Sequence, residues 1–514
     1  MEILLSALPL IVALGMLAGL RRSGLQTSVV TLLVALLLVL VVPSLRLAPL
    51  HLLFALGSGF STSLTVLLIL FPALLLYQLE QTRAGMNILA QGIMRLCPDR
   101  DLLVLAVVLG LAPFAEGVSG FGVGTVIVIP IFIAVGFEPL EAAVFGLLGQ
   151  FAVPWGGLAV GVAIGAQLTH LDPGVLGAST ALLTAPFPFL FGLIALYLGG
   201  RWGAIRRHWL PCCLASLIVM TGLTLFSLVP GIELAAVLAC LLSLAFLILW
   251  GYARERYTRY RNNPLSESHI QTGEQVQREN ATPMPASKSE TALWRVLTPY
   301  VVLVTLLLLT RLLLPLRDWL EVHALLSLPA INLHFAILYS PGMLLLLAAC
   351  STLPLLHING NEAKRTLAKT WKQFFPGAVA ILCFLCVSQV MSESGMTTTL
   401  GSTAAQLGSN YAWIAPWLGA LGGWLTGSNA GGNAMFALLQ KAVSTRIGLP
   451  LLAVMAAQNG AGSVATMVSP ARLILAAAAA GLLGKESYLL RRVGPLVLLA
   501  VAITTVLLVV VVSL

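Results

Sequence analysis

The chain has 514 residues, 59% hydrophobic and 9% charged, with a mean hydropathy of +0.97 and a net charge of +9. Soluble domains carry about 25% charged residues, so the composition excludes a soluble protein and specifies an integral membrane one. The positive balance would suggest nucleic acid in a soluble chain; here it sits in loops between apolar runs, where it sets orientation, and no nucleic-acid partner is expected.

Apolar windows lie near 1–20, 25–43, 62–79, 102–115, 175–199, 208–229, 231–252, 293–315, 331–353, 374–391 and 493–514. Shorter or Gly/Pro-interrupted apolar segments fill 47–60, 125–170 and 411–484. Against a hydrocarbon core of about 30 Å, the pattern predicts an all-α polytopic membrane protein with about 12–14 transmembrane helices. A β-barrel is excluded, because its strands alternate in polarity over about ten residues. Met1–Leu20 has neither a basic start nor a small-residue cleavage site, so it reads as the first span.

Basic loops at Arg21–Arg22, 80–101, 200–208, 253–292, 357–373 and 485–492 can all face the cytoplasm together, which puts both ends of the chain outside. Arg311 and Arg317 then fall on the outer side, against the rule. The stretch 253–292 is rich in Ser, Gln, Glu, Asn and Arg and reads as a mobile linker. The expected divisions are a first transmembrane repeat over 1–200, two connecting helices over 201–252, the polar cytoplasmic linker over 253–292, and a second repeat over 293–514.

Two regions share an order of features. The first runs "SGFGVGT", Pro139-Leu140, "GQFAVPWGGLAVG"; the second runs "GSNAGGNAMF", Pro450-Leu451, "AAQNGAGSVATMVSP". Each region reads as a Ser/Gly-rich break, a Pro-Leu between apolar stretches and a Gln-led second break; Ser119 and Gln150 are 31 positions apart, Ser428 and Gln458 30. The shared order favours duplication over chance likeness between Gly-rich segments. Because the second copy starts from the cytoplasm and the first from outside, the copies would be inverted-topology repeats with broken or re-entrant helices, a layout of secondary transporters.

Backbone leaves the helix within a bilayer only where it is buried in protein or lines a cavity. Freed amides at a helix start can hold an anion, and both Gly-rich segments suit that role. The candidate substrate-binding residues are Ser119, Gly120, Phe121, Gly122, Thr125, Gln150, Ser428, Asn429, Asn433, Gln458 and Asn459. Tight helix packing by small residues is the alternative, but it leaves the flanking Glu, Asn and Ser unexplained. Glu116 is an ionisable group deep among apolar spans, by default a functional one, and is a candidate for proton coupling; backbone satisfaction at the break is its other reading. Glu393, in "QVMSESGMTTTLGS", is the second coupling candidate. Arg472 could clamp a carboxylate with two donors or snorkel to the surface; both remain open.

Seven cysteines (Cys97, Cys212, Cys213, Cys240, Cys350, Cys383, Cys386) lie mostly in apolar runs. The CxxC at Cys383 and Cys386 has no second pair and no nearby His, so packing is favoured, and neither a metal nor a cofactor is expected. His170 with Asp172 reads as a solvated loop. HExxH, GxSxG and a nucleotide-binding loop are missing, which argues against a membrane enzyme and an ATP-driven pump.

With "AEGVSGFGVGTVIVI", "GFEPLEAAVFGLLGQ", "SQVMSESGMTTTL", "TGSNAGGNAMFALLQ" and "AAQNGAGSVATMVSP" in this order, the chain resembles the lactate permease family over nearly its whole length. The resemblance implies a 2-hydroxymonocarboxylate substrate (L-lactate, D-lactate or glycolate), uptake by proton symport and residence in the bacterial inner membrane. On matching positions it points to Glu116, Gly117, Gly120, Phe121, Gly122, Ser428, Asn429 and Asn433. The chain departs from the family pattern in reading "SNAGGNA" and "QNGAG", which lose hydroxyls, and in carrying Ala471 and Arg472 after "SP" where the family usually has Gln. The expected partners are therefore a small carboxylate, protons and the lipid bilayer. A sodium-coupled carrier of another small carboxylate is the alternative, since unwound carbonyls and Ser/Asn oxygens also suit a hard cation.

Overall fold

The computed structural model describes residues 2–20, 22–82, 88, 92, 97, 99–120, 122–262, 286–328 and 333–513; Phe121 and most of the polar linker lie outside the described residues. Helix α1 (Glu2–Leu14) leads into α2 (Gly24–Val41), whose Ser23 cap accepts from the Gln26 amide. The 33-residue α3 (Pro49–Gln81) starts with proline in its first turn, where a missing N–H leaves nothing unbonded.

α4 (Arg100–Ser119) is capped by the Asp99 carboxylate, which accepts from the Asp101 and Leu102 amides. It stops at Gly120 (φ 68°), and after Gly122 (φ 81°) the chain resumes as α5 (Val123–Ala134). α6 (Pro139–Leu148) passes through a 3-10 turn (Gly149–Trp155) into α7 (Gly156–Thr169), whose start holds Gly157, Leu158 and Ala159 in left-handed backbone. α8 (Pro173–Leu183), α9 (Pro186–Phe226) and α10 (Ile232–Asn262) complete the part before the linker.

After it come α11 (Ala286–Leu312), α12 (Leu314–Val322) and a two-stranded antiparallel hairpin of β1 (Leu325–Leu328) and β2 (Leu333–Ala336). Then follow α13 (Pro341–Leu355), α14 (Gly360–Glu393), α15 (Met396–Ala404), α16 (Ala415–Thr426) and α17 (Asn429–Ile447). α18 (Leu451–Thr466), α19 (Pro470–Ala479) and α20 (Glu486–Ser513) close the chain.

The protein is thus an all-helical membrane protein apart from that hairpin. Among the described residues, nine helices are long and apolar enough to cross a membrane, or ten if α18 and α19, bent by 41°, form one broken span. The sequence suggested more crossings. One reason is α9, whose 41 residues rise about 60 Å, twice a hydrocarbon core. Its backbone breaks at Gly200–Arg201, at the basic loop expected between two spans. The apolar window at 331–353 is helical only from Pro341, its start being spent on the hairpin. Residues 253–262 and 286–292, expected as linker, continue α10 and α11 as helix.

The two outer arginines are held in ion pairs. Arg311 donates to the Glu233 carboxylate at 3.0 Å and lies 3.7 Å over the Tyr339 ring; Arg317 pairs with Glu321 at 2.9 Å. The thiols of Cys383 and Cys386 are free and buried in α14, Cys386 against the backbone of α3 near Gly59. Small residues bring α16 onto α18 backbone to backbone: a Cβ on Gly423 would collide with the Gly462 carbonyl. α17 packs on α7 in turn, so the helices bearing both Gly-rich segments share one core.

Candidate functional site

Four interruptions converge at the centre: Gly120–Gly122, the 3-10 turn at Gly149–Trp155, Gly427–Ser428, and Met467–Ser469. The first three match the sequence expectation. The fourth does not: Gln458 and Asn459 lie inside α18, and the chain leaves the helix only after Thr466. An amide side chain needs no break when neighbouring helices supply its partners.

Arg472, in the first turn of α19, ties these interruptions together. Its guanidinium donates through Nη2 to Glu116 Oε1 at 3.0 Å, through Nη1 to Gln150 Oε1 at 2.8 Å, and through Nε to the Gly427 carbonyl at 3.2 Å. Side-chain exposure is 5% for Arg472 and 1% for Glu116, which rules out snorkelling to the surface. Glu116 also accepts from the Gly122 amide, at 3.2 and 3.0 Å to its two oxygens. The carboxylate therefore has a countercharge and accepts from the amide end of the first break. Of its two sequence readings, backbone satisfaction at the break describes these contacts, and the ion pair with Arg472 is an addition the sequence did not offer. Gly122 is required twice over, by its positive φ and because a Cβ would strike the guanidinium.

Guanidinium has five N–H donors; with three engaged, two remain for a ligand. Arg472, Gly427 and Ser428 line two adjoining cavities. One, of about 40 Å³, also touches Glu116, Gly120 and Asn429. The other, of about 290 Å³, is also lined by Ile381, Phe384 and Leu475. It combines a cation, near the N-terminus of α17, with apolar walls. Ser428 caps that helix, and its hydroxyl has no partner among the described residues, so it too can face a ligand.

The remaining candidates are structural in this conformation. The Ser119 hydroxyl donates to the Ala115 carbonyl at 2.6 Å and Thr125 to the Gly146 carbonyl at 3.1 Å. Asn433 donates to Asn459 Oδ1 (2.7 Å) and the Gly161 carbonyl (2.8 Å) and accepts from Gln458 (2.7 Å). Asn429 donates to Asn459 at 3.0 Å, and Asn459 donates to the Thr180 hydroxyl at 3.3 Å. This buried amide network locks α17 and α18 to α7 and α8, and of its side chains only Asn429 reaches a cavity described here. Gly161 admits it by close approach, since a Cβ would lie 2.8 Å from Asn429 Nδ2. Glu393, exposed at the end of α14, stands apart from the cluster. Asp172 caps α8, accepting from the Val175 amide at 2.8 Å. Thr180 escaped the sequence reading because a single threonine in an apolar helix carries no spacing signal.

A family model described as L-lactate permease matches residues 2–333 and 322–514. The L-lactate permease of Escherichia coli (strain K12) is 27% identical over 449 residues, covering 82% of this chain and 80% of that protein. The glycolate permease GlcA of the same strain is 26% identical over 527 residues, covering 95% and 91%. Among solved structures, MtrF of Neisseria gonorrhoeae aligns over 94% of this chain and 95% of its own, with a TM-score of 0.49 and 14% identity.

Proposed function

The chain belongs to the L-lactate permease family, and from that membership we propose that it imports a small 2-hydroxymonocarboxylate (L-lactate, D-lactate or glycolate) by proton symport. As a permease of this family it is a multi-pass protein of the bacterial plasma membrane and a transporter, not an enzyme. The observation that carries the substrate reading is the cavity beside Arg472. A carboxylate fits between the two unengaged guanidinium donors and the first-turn amides of α17, which bear partial positive charge. The hydroxyl of such a substrate can reach Ser428, and its short carbon chain faces Ile381, Phe384 and Leu475.

Proton coupling is supported by charge count. Glu116 and Arg472 cancel, so a bound monoanion leaves the buried site one negative charge in excess, and uncompensated charge at membrane depth is costly. One proton per substrate removes the excess.

The test is uptake of labelled L-lactate into proteoliposomes, with and without an imposed inward proton gradient and with glycolate as competitor. Gradient-driven accumulation that glycolate suppresses is expected. Accumulation that follows a sodium gradient and ignores protons would replace proton coupling with the sodium-coupled reading.

A further inference from the structure

We propose that Glu80, near the C-terminal end of α3, is the group that carries the co-transported proton. The proposal rests on the proton-symport reading above and assigns the residue that reading leaves open.

Three acidic side chains are buried among the described residues: Glu80, Asp101 and Glu116. Asp101 pairs with Arg207 at 2.8 Å, and Glu116 pairs with Arg472 at 3.0 Å. Glu233, half-buried, is held by Arg311. Glu80 alone of these has no such partner among the described residues: it is 0% exposed, and neither carboxyl oxygen makes a hydrogen bond to a described residue. An ionised carboxylate with neither donor nor countercharge in a dry surround takes up a proton instead. In this conformation the side chain is therefore the neutral acid, and the proton is already aboard.

Among the described residues, its titratable neighbours are tyrosines. Tyr77 lies one turn back on α3, and Tyr300 approaches from α11. On α14, which packs along α3, Gln373 accepts from Gln78 at 2.6 Å, while Lys369 and Lys372 on that helix are exposed. α13 contributes no acid or base, and its one titratable side chain, Cys350, is exposed. Nothing here would hold the proton on another group.

Position joins Glu80 to the substrate site. Leu70, ten residues earlier on α3, lines the smaller cavity, about 15 Å away along the helix. Tyr300 packs edge-on against Phe114 with ring centroids 5.8 Å apart, and Phe114 lies on α4 two residues before Glu116. A movement of α4 that reshapes the Glu116–Arg472 site also moves the wall of the Glu80 pocket. The basic loop at 80–101 puts this end of α3 at the cytoplasm, the side where a symported proton leaves. Glu80 gives up one proton there and regains one from outside, so each cycle moves one substrate anion and one proton with no net charge.

Two measurements test this. In Glu80→Gln proteoliposomes, exchange of labelled for unlabelled L-lactate should persist and lose its pH dependence, while accumulation driven by a proton gradient is lost. Accumulation by Glu80→Gln at the wild-type level overturns the proposal. Wild-type protein that exchanges but never accumulates on a proton gradient overturns the symport reading itself. Independently of whether the variant folds, an apolar carbodiimide, which attacks protonated carboxyls in apolar surroundings, should label wild-type Glu80 in preference to Glu116 by peptide mass spectrometry. Labelling of Glu116 with none at Glu80 moves the proton to the ion pair and overturns the assignment.

Discussion

Arg472 and Glu116, 356 residues apart in the chain, form an ion pair at 3.0 Å with both side chains buried. Removing one partner of a buried pair leaves an uncompensated charge, and the cost is about 3–5 kcal/mol, whereas removing both is far milder. Arg472→Gln is therefore expected to lower the melting temperature of the detergent-solubilised protein sharply. The double variant Glu116→Gln with Arg472→Gln should recover most of that stability yet remain unable to take up L-lactate, because the guanidinium proposed to hold the carboxylate is gone. Recovery of uptake in the double variant would remove Arg472 from substrate binding.

Gly122→Ala combines a strained positive φ with a Cβ placed against the guanidinium. Backbone strain of this kind costs about 1–3 kcal/mol, and displacement of Arg472 disturbs the cavity as well. A lower melting temperature together with a raised KM for L-lactate is expected. A loss confined to stability would mean that Arg472 keeps its place.

The sequence made the two Gly-rich interruptions legible because glycine, serine and asparagine inside a membrane run have few uses beyond a break or a close contact. It could not reveal what they face. The pairing of Glu116 with Arg472 spans the whole chain and leaves no period or spacing to read. Gln458 and Asn459 looked like part of a break, yet they lie within a helix, where the Gln458 NH2 donates to Asn433 and the Asn459 NH2 to Thr180. Glu80 went unread for a different reason: it stands where an apolar run meets a basic loop, and in sequence such an acid looks solvated.

Asn433 bonds Asn459, Gly161 and Gln458 and lines neither cavity beside Arg472. Asn433→Ala strands several buried polar groups, each worth about 1–3 kcal/mol when left unpaired. The expected result is a large drop in melting temperature with an unchanged KM for L-lactate in the fraction that remains folded. A raised KM at unaltered stability would instead put Asn433 in contact with substrate.

Ser428 is the counterpart. It lines both cavities and its hydroxyl bonds to no described residue, so Ser428→Ala strands nothing. A cap serine exchanged for alanine costs about 1 kcal/mol where its side chain bonds the helix amides, and this one does not. Stability should therefore hold while KM for L-lactate rises severalfold. The rise should be smaller for a carboxylate lacking the 2-hydroxyl, and an equal rise for both would deny Ser428 that contact.

Just before the candidate span Arg100–Ser119, Asp99 lies 3.3 Å from buried His208 and 3.7 Å from Arg254 and caps the helix. The hydrogen bond from His208 is the largest influence and, with the Leu102 and Asp101 amides, lowers the Asp99 pKa to about 2 against the opposing effect of burial. A carboxyl whose folded-state pKa is depressed stabilises the fold above its unfolded value, near 3.9, and loses that contribution as pH falls toward about 2. Asp99 is 39% exposed, so screening limits the effect to about 1 kcal/mol. Melting temperature should decline between about pH 4 and pH 2 in the wild type. Asp99→Asn should start lower at neutral pH and show a shallower decline over that window. An unchanged slope would show that the acid sensitivity comes from other carboxylates, and that His208 gains nothing from its contact with Asp99.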